Sequence, residues 1–172
     1  KIPASIIKKT LIDKGFSSEL SSKASLESGG SYNKALSYVR ETEKDVIFEK
    51  WFQSWVRSAF KVKKKKEAVL ELVDWSNTIS KSGRETQKKF INYSLEVFRQ
   101  ALLNNYGLNE IAYYKPTTDF NFDNFSDFIV GANIEDISNE LEKAYLHIQA
   151  NGNPKMIFTD LSLKLTRLIH KS

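Results

Sequence analysis

The side chains in this chain that could carry chemistry are two histidines, scattered carboxylates, a run of lysines and three tryptophans. His147 and His170 fall on different helices, with no second His or Cys at ligand spacing, so neither reads as a metal ligand. His147 lies beside a core position and reads as structural. Zero cysteines exclude thiol catalysis, disulfides and Cys-ligated zinc together. Asp136 and Glu140 are four apart and can share a helix face, whereas Glu140 and Glu142 point in different directions. No Glu-x-x-His accompanies them, so a di-metal bundle is not indicated. Neither phosphate-binding glycine pattern is present, and Gly29-Gly30 reads as a helix stop. Serines and threonines are plentiful, but none has a nearby histidine to activate it. The chain therefore offers no catalytic residue, no metal ligand and no cofactor site.

The remaining candidates are binding residues. Trp51, Trp55 and Trp75 accompany Phe48, Phe52 and Phe60 at helical spacing, which points to a core or a subunit interface rather than ligand stacking. Much of the formal net charge of +5 comes from one cluster, Lys61 with Lys63, Lys64, Lys65 and Lys66. This cluster reads as a solvated connector, with DNA phosphate contact as the alternative. Lys88, Lys89 and Arg99 alternate with apolar residues and mark the outer face of a helix.

The elements that hold these residues are helical. Only 7 Gly and 3 Pro in 172 residues leave few tight turns for a β fold. The spacing predicts three short helices first. One has Pro3 in its first turn and carries Ile6, Ile7 and Leu11. A second is capped by Ser17 or Ser18, with Leu20, Ala24 and Leu26. A third covers about 31–43, with Ala35, Leu36 and Val39. From Val46 the helices lengthen. Phe48, Trp51, Phe52, Trp55, Val56, Ala59 and Phe60 form a wide stripe. Val69, Leu72, Val73 and Ile79 follow, and a further helix runs from about Arg84 to Tyr106, with Gly107 as its stop. Residues 108–133 read as loop with one or two helical turns anchored by Phe120, Phe122, Phe125 and Phe128. A helix from about Asn133 ends at Asn151-Gly152, and a last one restarts at Asn153-Pro154. No apolar run is long enough for a membrane span and no signal peptide is visible, so two Asn-x-Ser triplets, at Asn92 and Asn124, read as chance. Lys1 in place of Met suggests that the chain begins inside a longer protein.

Three segments, in order along the chain, carry a resemblance. They are Gly29-Gly30-Ser31-Tyr32-Asn33-Lys34-Ala35-Leu36, then Gly83-Arg84-Glu85-Thr86-Gln87-Lys88-Lys89-Phe90 with Phe98-Arg99-Gln100-Ala101-Leu102, and finally Asn151 through Leu165. Together they resemble the C-terminal half of the delta-prime subunits of bacterial DNA polymerase III clamp loaders. The last segment is similar to the Asn-x-Asn-Pro-Lys start and leucine-rich final helix of their collar domains. Gly152 stands where alanine is common, a position at which a helix boundary is expected to tolerate either residue.

The resemblance implies an all-α chain in two parts, a three-helix lid over 1–43 and a helical-bundle collar over 46–172, joined at Glu41 to Asp45. It implies a non-catalytic scaffold in the cytoplasm. Its partners would be the ATP-hydrolysing subunits and delta, with the sliding clamp and primed DNA engaged indirectly. No cofactor, small-molecule substrate or membrane is implied. Asn33 stands where ATP-hydrolysing relatives carry a phosphate-sensing arginine, in keeping with a subunit that does not hydrolyse ATP. On the final helix, Leu161, Leu165 and Leu168 are expected to serve the bundle, while Met156, Ile157 or Leu163 is expected to meet a neighbouring subunit. Lys63 to Lys66 remain candidates for phosphate contact.

Overall fold

The computed structural model describes residues 1–171. Among them eight helices and no strand occur, so the chain is all-α. None of these helices is long and apolar enough to cross a membrane. The chain divides into two compact units, Lys1–Ile47 and Phe48–Ser172.

The first unit holds α1 (Ala4–Asp13), α2 (Ser18–Glu27) and the start of α3 (Tyr32–Val62). Pro3 is the residue before α1 rather than part of its first turn, and its carbonyl accepts from the Ile6 and Ile7 amides. Ser17 caps α2 through its side chain, which accepts from the Leu20 amide. Ile7, Leu11, Ala24, Ala35 and Val39 are fully buried and make the small core. Leu26, expected on the inner face of α2, is instead 74% exposed. Two residues on from Ala24, it is turned by about 200° on the helix and faces outward.

The break expected at Glu41 to Asp45 does not occur, because α3 is one helix of 31 residues. The segment contains neither Gly nor Pro. Its charged side chains are all exposed, which a helix surface accommodates, and Thr42 hydrogen-bonds back to the Tyr38 carbonyl at 2.8 Å.

The second unit comprises the rest of α3 with α4 (Ala68–Ser80), α5 (Arg84–Asn105), α6 (Phe122–Ser126), α7 (Gly131–Gln149) and α8 (Pro154–Leu168). The aromatic stripe of α3 buries Phe48, Phe52, Trp55, Val56 and Ala59 against Phe90 and Phe98 of α5 and Phe158 of α8. Trp55 stacks on Trp75 at 5.0 Å and 4°. Each indole finds an acceptor, Trp55 on Ser162 Oγ and Trp75 on the Trp51 carbonyl, both at 2.9 Å. Trp55 and Trp75 are thus core residues with their polar edges satisfied, and Trp51 packs half-buried against the same core.

The irregular segment after α5 is fastened by buried polar groups. Gln100 Oε1 accepts from the Tyr113 and Tyr114 amides. Glu49, only 4% exposed, accepts from both the amide and the hydroxyl of Thr117 and of Thr118. Helix α7 begins at Gly131, ahead of the expected Asn133. Asn133 lies within its first turn, where its side chain accepts from the Val130 amide and donates to the Phe128 carbonyl.

The α7–α8 corner departs from expectation at one residue. Asn151 takes the left-handed conformation, φ 62°, and the Gly152 amide donates to the His147 carbonyl at 2.8 Å, closing the end of α7. A Cβ on Gly152 would lie 2.8 Å from that carbonyl oxygen and 2.8 Å from Ile157 Cδ1. Alanine therefore does not fit without a shift of backbone.

Candidate functional site

Helix α8 is positioned from both ends and along one side. Asn153 caps it by accepting from the Met156 amide at 3.1 Å, and Pro154 occupies its first turn. Phe158, Leu161, Leu165 and Ile169 are buried, and Ser162 ties the helix to Trp55, so its rotation about its own axis is set. Leu168 is half-buried on the same core.

The opposite side of α8 is open. Met156 is 70% exposed and Leu163 is 41% exposed. Seven residues separate them, about two turns, which places them on one line along the helix. Exposed Asp160 and Arg167 follow each of them by about one turn, close beside that line. Ile157, proposed for the same role, is half-buried and packs against the core instead. Two of the three interface candidates thus form an apolar stripe, and the third mostly supports the bundle.

A second surface gathers around the lysine cluster. Lys63, Lys64, Lys65 and Lys66 are all exposed between α3 and α4, and none forms an ion pair among the described residues. Lys61 pairs with Glu71 at 3.3 Å. Glu71 also accepts from Ser58, and these contacts hold its carboxyl below the usual range. Lys61, Lys63 and Lys64 rim a groove of about 720 Å³ whose apolar lining comes from Phe60, Phe128 and His170. Phe128 was expected as an anchor of the loop, but it is 47% exposed and lines this groove. Burial, and then the charge of Lys63, push the His170 pKa down.

The other candidates separate. Asn33 is exposed in the first turn of α3, next to exposed Lys34. His147, expected to be structural, is exposed because it precedes buried Ile148 by one residue, a turn of about 100° away from the core-facing line of α7. Asp136 and Glu140 do share a neighbourhood, but each is engaged by lysine, Asp136 by Lys171 and Glu140 by Lys143 and Lys164. Arg99 is paired with Glu96. Among the described residues no group of three His, Cys, Asp or Glu side chains could hold a metal.

Sequence reasoning missed three functional or structural groups. Glu49 sits unmarked inside the aromatic stripe of α3. Arg84 donates to the carbonyls of Ile148 and Gly152 through Nη1 and to that of Asn151 through Nη2, clamping the end of α7. Phe128 carried no periodic signal to distinguish it from its buried neighbours.

Comparison with protein-family models, with curated proteins and with solved structures finds no match to this chain.

Proposed function

We propose that this chain is the lid-and-collar part of a clamp-loader delta-prime subunit. It acts as a non-catalytic scaffold that assembles with the ATP-hydrolysing subunits and delta. The sliding clamp and primed DNA are then reached through the assembled loader rather than through this chain alone. The sequence resemblance supplies the family, and one structural observation carries the scaffold role. The helix opened by the Asn-x-Asn-Pro segment uses one leucine face internally and leaves Met156 and Leu163 exposed on the other. A short apolar stripe rimmed by charged groups suits side-by-side helical contact with a neighbouring collar. In this role the chain contributes position and register, while nucleotide chemistry belongs to its partners.

The test is size-exclusion chromatography of the chain mixed with the ATP-hydrolysing and delta subunits. Co-elution is expected. Replacing Leu163 by Glu should weaken it by at least about thirtyfold, the loss typical of a buried interface anchor. Because Leu163 is 41% exposed, the variant should keep its helical content. No association of the unaltered chain would end the scaffold reading. Association indifferent to Leu163→Glu would place the contact elsewhere.

A further inference from the structure

The groove beside the lysine cluster has features that the scaffold role does not use. Its apolar lining is a set of rings locked at steep angles. Phe60 and Phe128 lie 4.6 Å apart at 61°, and Phe60 and His170 lie 5.4 Å apart at 79°. Such a surface is notched rather than flat. Successive nucleobases stack on ring faces that lie parallel to one another, and no two rings of this set are parallel. A bulky aliphatic or aromatic side chain fits a notch.

Charge narrows the occupant further. Among the described residues no carboxylate pairs with Lys63 or Lys64 on the rim, and Lys61 beside them pairs with Glu71. Asp127 and Glu67 are near in sequence, yet neither pairs with a rim lysine. Burial and then Lys63 disfavour the charged form of His170, so the positive charge of the groove sits on its rim and its floor is uncharged. A volume of about 720 Å³ suits a few residues of extended chain rather than a folded surface.

We propose that the groove formed by Phe60, Phe128 and His170, with Lys61, Lys63 and Lys64 on its rim, docks a short acidic peptide segment of a partner protein through one bulky apolar anchor residue. The anchor enters between the rings, and flanking carboxylates meet the lysines. Met156 and Leu163 lie outside the lining of this groove, so the site stands whether or not the chain belongs to a clamp loader.

The test uses the full chain and fluorescein-labelled peptides, Gly-Asp-Glu-Asp-X-Asp-Glu-Asp-Gly, with X as Phe, Trp, Leu or Ala. Binding is read by fluorescence anisotropy, with a labelled oligothymidylate in parallel. At least one bulky X should bind about tenfold or more tighter than Ala, and its affinity should fall as salt rises. Phe128→Ser should remove the preference for bulky X, while Lys63→Glu with Lys64→Glu should weaken every peptide. All three substitutions are at exposed positions, and an unchanged thermal melt shows that each variant is folded. Equal binding of all four peptides, or none, overturns the proposal. So does oligothymidylate binding that is tighter than any peptide and lost in Phe128→Ser, which would assign the groove to single-stranded nucleic acid.

Discussion

Glu49 is a buried carboxylate that remains charged by local supply of donors. Burial alone would raise its pKa. The hydroxyls and amides of Thr118 and Thr117 outweigh that and hold it below the usual glutamate value. Its hydrogen bonds range from 2.6 to 3.0 Å and join α3 to a segment 68 and 69 residues later. The sign of the pH effect follows. A carboxyl whose folded pKa is lowered contributes its full stability above the unfolded value, and loses it as pH falls through the folded one. Glu49→Gln keeps the shape but turns an amide donor toward groups that are themselves donors. It should cost about 2–4 kcal/mol near neutral pH. The gap to the unaltered chain should close as pH falls below the ordinary carboxylate range. Urea titrations at neutral and acidic pH measure both, and a gap independent of pH would refute the charged-state account. Nothing at position 49 announced this role, since a glutamate between Phe48 and Lys50 reads as one more helix surface residue. Hydrogen bonds to a distant loop have no local signature. The tryptophans differ, because aromatic side chains repeating at three and four on a helix must be buried whatever they touch.

At the scale of elements, helix starts were legible where a side chain closes its own turn. Ser17 and Asn153 each accept from an amide three residues on, and both signals lie within four residues of sequence. Helix continuity was less legible. A short charged run such as Glu41 to Asp45 looks like a junction, but without Gly or Pro nothing stops the helix there. Gly152 is the sharper case. A helix boundary ordinarily accepts alanine, yet here Ile157 and the His147 carbonyl leave no room for a methyl group, a packing fact that only the corner itself reveals. The contact to His147 is with backbone, which cannot rotate away as a side chain does. Gly152→Ala should therefore lower stability by about 1–2 kcal/mol, or about 2–8 °C in Tm. It should also strain the corner whose carbonyls Arg84 holds. An unchanged melt would mean that α8 shifts freely at its start, against the fixed position argued from Ser162 and Asn153.

Across the whole molecule the all-helical class followed from periodicity and scarce turn residues, because both are properties of the entire chain rather than of any one site. How stability is shared between the two units follows from counting what each buries. Among the described residues the unit Lys1–Ile47 has five fully buried apolar side chains, two of them alanines, whereas Phe48–Ser172 gathers 26 buried apolar residues including most of its aromatics. A core so small rarely supplies more than about 3–5 kcal/mol. Trp51, Trp55 and Trp75 all lie in the larger unit, so tryptophan emission reports that unit alone, while far-ultraviolet circular dichroism reports the helices of both. In a urea titration followed by both signals, part of the ellipticity should be lost before the emission moves. The early phase should carry the share of helix in α1, α2 and the first half of α3. Ile7→Ala, which opens a cavity in the smaller core, should advance that phase by about 2–4 kcal/mol equivalent and leave the emission midpoint in place. Coincident curves, moved together by Ile7→Ala, would instead mean that the continuous α3 couples the two cores into one cooperative transition.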